Sequence, residues 1–397
     1  MVLVSGRITH FLNPKANADA EYSDEQKKVL DLEQAKEAID SISAWPEYNE
    51  TPLHQLSCLA NEIGVSKIWY KDEAKRFGLK SFKALGGAYA VGKQLQLVAS
   101  KRYGEIPDFA SLLAGQWKEK LSDVTVTCAT DGNHGRSVAW GAQMFGCRCV
   151  IYIHKDVSEG RKAAMEAFGA EVIRIDGNYD ESVRIADENA RVHQRIIVSD
   201  TSYEGYMEIP KHVAAGYTVM LSEITKQLGD DIPTHVFVQG GVGGLASAVC
   251  GYFWLQWGNL RPRFIVVEPE AANCLQKSAV AGKPVAVEGD LTTLMAGLEC
   301  GEVSMLAWKI LSNGANDFLT ISEDTVPQTM RLLAKSFGSD PIIEAGESAV
   351  AGLAALLVAA DDNELAKQLR IGKDSKILVL GTEGATDPIV YQELIAE

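Results

Sequence analysis

Four glycines crowd the segment Gln239-Gly240-Gly241-Val242-Gly243-Gly244, between a strand-like run and a helix-like one. Glycines let a backbone approach an anion closely and turn several N–H groups on it, and the dipole of the following helix adds a favourable field. The loop therefore reads as a phosphate cradle, although a glycine-rich turn with no ligand has the same composition. It also matches G-x-G-x-x-A through Gly241, Gly243 and Ala246. Glu268 closes the next strand, where a dinucleotide's ribose would look for an acidic partner. Whose phosphate is held stays open on this segment alone, and an NAD(P)-dependent oxidoreductase is one reading.

Lys83 supplies the second piece of chemistry. The spacing predicts a helix over 81–97 with Ser81 as its N-cap, which sets Lys83 in the first turn. The positive end of the helix dipole disfavours an ammonium there and lowers its pKa. A lysine held partly as the amine is an imine-forming nucleophile. A lysine at such a place is ordinarily a solvated surface residue, but Phe82, Ala84, Leu85, Gly86 and Gly87 surround this one with apolar or small neighbours. An activated lysine and a phosphate loop together are the two anchors that pyridoxal 5′-phosphate needs, one for each end.

Six segments then follow in order along the chain: Thr51-Pro52-Leu53, Lys71-Asp72-Glu73, Ser81-Phe82-Lys83, Gly132-Asn133-His134-Gly135, Gly240–Gly244 and Gly381-Thr382-Glu383-Gly384. In this order the sequence resembles the fold-type II pyridoxal-phosphate enzymes, which include threonine dehydratase and the β subunit of tryptophan synthase. The resemblance implies an α/β fold class, with two open twisted sheets flanked by helices and the cofactor in the cleft between a large and a small domain. It implies that Lys83 bonds to the cofactor with Phe82 beside it, and that Asn133 meets the phenolic oxygen. Gly240, Gly241, Val242, Gly243 and Gly244 would hold the phosphate, and Thr382 would face the pyridine nitrogen. A hydroxyl there leaves that nitrogen largely unprotonated, which suits elimination over transamination. Thr130, Asp131, Gly132, Asn133 and His134 would bind the substrate, its carboxylate on their N–H groups.

The substrate loop narrows the expectation. Serine and threonine dehydratases typically carry Ser-Ser-Gly-Asn-His, whereas this chain reads Thr130-Asp131-Gly132-Asn133-His134. With Val198-Ser199-Asp200-Thr201-Ser202-Tyr203-Glu204-Gly205-Tyr206, it resembles the branch that turns 2,3-diaminopropionate into pyruvate and two ammonias. The charge logic agrees, because a β-ammonium calls for a carboxylate that selects the cation and manages its proton. Asp131 and Asp200 are the candidates and, with Lys83, the expected catalytic residues. As plain structure, Asp131 is a turn residue and Asp200 a loop or cap residue. The resemblance further implies that both isomers are used, with Lys83 serving one face and Asp131 the other, and that the chain forms a homodimer. A serine or threonine dehydratase of the same fold is the nearer alternative, the oxidoreductase the more distant one.

The elements that must position these residues alternate almost throughout. Strands are expected over 124–129, 149–153, 171–175, 196–198, 234–238, 263–268 and 376–380, and helices over 134–145, 160–168, 179–192, 245–256 and 347–360. Such alternation implies right-handed βαβ units and parallel sheets. Thr51-Pro52-Leu53 reads as a turn and 67–71 as a short strand. The expected domains are 1–92 and 205–397, the two parts of a large domain, and 93–204, a small one. The chain of 397 residues has 38 Lys+Arg against 53 Asp+Glu, a net charge of −15. That balance argues against nucleic acid, which needs a basic face. Seven cysteines, an odd number and widely spread, are no disulfide framework, although Cys274 and Cys300 could pair. The histidine and cysteine spacings hold no zinc motif. No leader and no membrane span is expected, so the protein is placed in the cytoplasm, acting on a small amino acid.

Overall fold

The computed structural model describes residues 2–130, 132–177 and 179–396. Eleven strands are found among them: β1 Ile8–Leu12, β2 Leu53–Gln55, β3 Lys67–Asp72, β4 Thr125–Ala129, β5 Arg148–Ile153, β6 Glu171–Arg174, β7 Ile196–Ile197, β8 His235–Gln239, β9 Arg263–Pro269, β10 Asp317–Ile321 and β11 Lys376–Gly381. They form a seven-stranded sheet of order β1-β10-β9-β8-β11-β3-β2 and a four-stranded sheet of order β6-β5-β4-β7. The contact pattern gives two units. The first is 1–32, 50–81 and 220–397, and the second is 33–49 and 82–219. These divisions lie at other residues than the expected 1–92, 93–204 and 205–397. The reason is the helix Lys83–Tyr103, which packs along Asn133–Phe145 for much of its length.

In the first unit, β3, β11, β8, β9 and β10 run parallel, and only the edge strands β1 and β2 pair antiparallel. Every residue of β8 and β10 is buried, as expected of parallel strands covered on both faces. The helix Ala351–Asp361 (AGLAALLVAAD) is apolar all round and sits in the main core with Ile68, Phe237, Ile265 and Val379. It starts at Ala351, not at residue 347, because residues 347–350 form a turn before it. Thr51-Pro52-Leu53 is no turn. Leu53 already belongs to β2, whose edge pairing with Lys71 keeps the chain extended.

The same segment anchors a fully buried charge cluster. Arg76 donates through Nε and Nη2 to Glu73 at 2.8 Å each, and through Nη1 and Nη2 to Glu223 at 2.7 Å each. Lys71 Nζ donates to Glu223 at 2.7 Å and to the Thr51 carbonyl at 2.8 Å. Two cations and two carboxylates cancel, so the motif Lys71-Asp72-Glu73 works here as an internal ion network. Burial pushes the Glu223 carboxyl up, yet its bonds to Arg76 and Lys71 outweigh burial and hold it below its ordinary value. Such a network is neutral only while complete. Glu223→Gln should therefore lower unfolding stability by about 3–5 kcal/mol in a denaturant titration. A loss below about 1 kcal/mol would contradict this role.

In the second unit, all four strands are parallel. Two helices approach closely through small residues: a Cβ on Gly141 would lie 2.7 Å from the Ala88 Cα, and one on Gly87 would lie 2.5 Å from the Ser137 Oγ. Ser137 Oγ then donates to the Lys83 carbonyl at 2.6 Å and accepts from the Ala88 N–H at 3.1 Å. The first turn of the Lys83 helix is thus pinned by backbone atoms. No helix among the described residues is long and apolar enough to cross a membrane.

Candidate active site

Lys83 opens the helix Lys83–Tyr103, with Phe82 in the capping position and no side-chain cap. The expected cap, Ser81, instead pairs with Glu383 in an isolated bridge. The helix therefore starts two residues later than predicted and leaves its first N–H groups without a hydroxyl partner from Ser81. The lysine keeps its expected place in the first turn. Its ammonium is met by the Asp200 carboxylate, which donates no proton and accepts from Nζ. Nζ also lies 5.4 Å from the centre of the Phe82 ring.

Asp200 follows β7 on a short loop held by one phenol. Tyr206 Oη accepts from the Ser199 N–H and donates to the Ile197 carbonyl, both at 2.9 Å, so the stretch 197–199 before Asp200 is clamped. Tyr203 stacks on Tyr206 with ring centres 5.0 Å apart, and the two exchange backbone hydrogen bonds. His134 is the third group. Its Nε2–H donates to the Val198 carbonyl at 2.8 Å, which fixes the tautomer, and Nδ1 faces Asp200 at 3.8 Å. Burial holds the imidazole below its ordinary pKa, although Asp200 pulls the other way.

Burial pushes the Asp200 carboxyl up, but Lys83, followed by His134, outweighs it, and the group is held well below the usual carboxylate range. The sign follows for stability. A depressed carboxyl contributes in full above its unfolded pKa of about 4, and the contribution is lost only as pH falls toward the lower, folded value.

Among the expected substrate residues, Thr130 follows β4 and is buried. Its Oγ1 accepts from the N–H groups of Gly132 and Gly135, both at 3.1 Å, so this hydroxyl shapes the loop and takes up two of its donors. Asn133 and His134 open the helix Asn133–Phe145. Asp131 lies outside the described residues. The second unit thus brings Phe82, Lys83, Thr130, Gly132, Asn133, His134 and Asp200 into one neighbourhood.

In the first unit, Gly240–Gly244 link β8 to the helix Gly244–Trp257, and Gly243 caps that helix at φ 93°, a conformation suited to glycine. The first-turn N–H groups of this helix have no carbonyl before them inside it. A Cβ on Gly240 would come within 2.9 Å of Val266, Leu275 and Glu268, so the loop has no room for side chains there. Thr382 follows β11, the parallel neighbour of β8, and is buried. Gln239 ties these strand ends together by donating to the carbonyl of Leu380 at 2.6 Å, and it also donates to the carbonyl of Ala349, in the turn before the helix Ala351–Asp361, at 2.8 Å. A glycine cradle and a hydroxyl side by side at the carboxyl ends of parallel strands fit a phosphorylated ring.

They do not fit a dinucleotide. Glu268 is fully buried, and its two oxygens accept from the N–H groups of Leu275 and Gln276 at 2.8 Å each. Burial raises its carboxyl to about 8. The residue expected at a ribose is thus committed to the helix Cys274–Ala281. Cys274 and Cys300 are not joined, and Cys274 donates instead to the Gly241 carbonyl at 3.5 Å.

Two functional-looking residues escaped sequence reasoning. Tyr206 stood in the resembling run with no role, and its spacing of six from Asp200 is the only trace of the clamp. Tyr217 gave no signal at all, because only the fold brings it to Phe82. Tyr206→Phe removes the partner of the Ser199 N–H and should speed amide exchange over 197–200 by about 10- to 100-fold, with the Asn133–Phe145 helix unchanged. Equal exchange in both proteins would refute the clamp.

Comparison with known proteins adds the following. Residues 44–383 match the family model described as pyridoxal-phosphate dependent enzyme. The chain is 39% identical over 382 residues to diaminopropionate ammonia-lyase of Escherichia coli strain K12, covering 95% of this chain and 94% of that one. The crystal structure of the Escherichia coli diaminopropionate ammonia lyase in complex with an aminoacrylate-PLP azomethine reaction intermediate is similar with a TM-score of 0.87 and 38% identity, over 99% of this chain and 97% of the other. The same enzyme in complex with D-serine is similar with a TM-score of 0.89 and 37% identity, over 99% and 97%.

Proposed function

This chain belongs to the pyridoxal-phosphate dependent enzymes, and from that premise we propose that it catalyses an α,β-elimination converting 2,3-diaminopropionate, as either isomer, to pyruvate and two ammonias. Its cofactor is pyridoxal 5′-phosphate. When bound, the cofactor supplies the electron sink that eases loss of the α proton and of the β substituent. In this reading Lys83 holds the aldehyde end, Gly240, Gly241, Val242, Gly243 and Gly244 the phosphate, Asn133 the phenolic oxygen and Thr382 the ring nitrogen, with Phe82 beside Lys83. The substrate carboxylate is met by N–H groups of the 130–134 loop, with Asn133 and His134 at a helix start favouring an anion. Lys83, released as the amine, takes the α proton from one isomer, and Asp131 takes it from the other.

One observation carries the choice of substrate: the ion pair between Lys83 and Asp200. A carboxylate about one-fifth exposed and held ionised calls for a cation beside it, and Lys83 can no longer be that cation once it acts as an amine. A β-ammonium can replace it, whereas the neutral hydroxyl of serine or threonine cannot. The replacement both selects the substrate and places its leaving group. A homodimer in the cytoplasm belongs to the same proposal and rests on the likeness to the family.

The test is product analysis. Each diaminopropionate isomer should yield one pyruvate and two ammonias, faster than serine yields pyruvate or threonine yields 2-oxobutyrate. Asp200→Asn should lower kcat/KM for diaminopropionate by about 100-fold or more and touch serine far less. Activity confined to serine or threonine, or equal losses on all substrates, would overturn the reading.

A further inference from the structure

Tyr217 lies on the helix Glu208–Leu228, in the part that belongs to the second unit, and is 1% exposed. Its ring cannot move far. It packs on the Phe82 ring with centres 4.7 Å apart, and a Cβ on Gly86 would come within 2.5 Å of its Cε1. The hydroxyl at the end of this fixed ring is buried and makes no hydrogen bond of full geometry among the described residues. Such a group carries a cost comparable to a lost hydrogen bond unless another state of the protein pairs it. It faces Lys83 within reach of a side-chain hydrogen bond, with Asp200 also near; burial is the largest influence and raises the phenol's pKa, while Lys83 pulls it down.

The state that pairs it follows from counting protons around Lys83. As an ammonium, Lys83 has only hydrogens to give, and Asp200 takes one of them. As an amine, Nζ gains a lone pair and needs a donor. The Asp200 carboxylate is an acceptor only. His134 is also an acceptor toward this side, because its one proton sits on Nε2 and goes to Val198. Tyr217 has a hydrogen to give. We propose that Tyr217 is a positioning residue for Lys83: its hydroxyl donates to Nζ when Lys83 is the neutral amine, stabilises that form and sets the direction of its lone pair. The hydroxyl that faces the Lys83–Asp200 ion pair without a well-formed bond is then the resting half of a two-state arrangement. Asp200 serves the charged lysine and Tyr217 the uncharged one.

The other titratable groups that face this centre are Asp200 from the loop after β7 and His134 from the helix start, with Cys128 of β4 and Tyr206 coupled to Asp200. Replacing Tyr217 by an apolar residue of similar size leaves all of them in place.

The test uses the full-length chain stripped of cofactor, with the acylation rate of Lys83 by acetic anhydride followed against pH by peptide mass spectrometry. Tyr217→Phe and Tyr217→Met both fill the site without a hydroxyl, so either one suffices if the other fails to fold. In each, the midpoint for Lys83 should rise by about 0.5–1 pH unit, because the amine loses its donor. The exposed Lys36 reports any general change and should not move. An unmoved midpoint overturns the proposal, and so does a lowered one, which would mean that the hydroxyl serves the ammonium. The inference rests on Lys83 being the reactive amine proposed above. Absence of all product in the substrate assay would defeat that reading, while the acylation midpoint judges this one separately.

Discussion

A carboxylate kept ionised while largely shielded from water calls for a cation, and Asp200 imposes that condition on everything near it. Lys83 meets the condition in this structure, and Tyr206 fixes the loop that carries the carboxylate. The lysine is itself in an awkward place for a charge, at the positive end of a 21-residue helix. The two misfits cancel while they are paired. Either can be withdrawn only if something else takes its place, which is what the proposed function asks of the pair when a substrate ammonium arrives.

The scaffolding around the pair is mostly backbone. Ser137 ties the first turn of the Lys83 helix to its neighbour through the Lys83 carbonyl and the Ala88 N–H, and Thr130 gathers two N–H groups of the loop that follows β4. In the first unit the same economy holds. Gln239 joins β8 to β11 and to the turn at Ala349 through one carbonyl each, and the cluster of Lys71, Glu73, Arg76 and Glu223 anchors the turn after β3 from inside. Buried networks of this kind are costly unless complete, so they fix geometry more than they add stability.

Much of this was legible in the residues themselves. The strands over 125–129, 148–153, 235–239, 263–269 and 376–381 follow the apolar runs, because parallel strands covered on both faces leave a continuous signal. Lys83, the glycine loop and Asp200 stand out in the sequence because each is an unusual residue at a marked turn between elements, and the structure pairs Lys83 with Asp200 and sets the loop between β8 and a helix. Other features depended on partners far away in sequence. Ser81 looks like a cap, but its backbone is taken by Glu383, about 300 residues on, and no local pattern reveals that. Glu268 looks like a ribose ligand until the N–H groups of Leu275 and Gln276 are seen to occupy it. Thr51-Pro52-Leu53 reads as a turn because proline favours one, yet the pairing of Leu53 with Lys71 draws it into a strand. Tyr217 is invisible because a tyrosine inside an amphipathic helix has no mark of its own.

The central claim is that Lys83 is the group on which the cofactor is carried. It is tested most directly by reducing the purified holoprotein with borohydride, digesting it and locating the added pyridoxyl phosphate mass. The account predicts a yellow protein whose visible band disappears on reduction, with the modification on the peptide that contains Ser81-Phe82-Lys83 and on no other. A modification on another lysine, or a purified protein with neither a visible band nor a modified peptide, would contradict it.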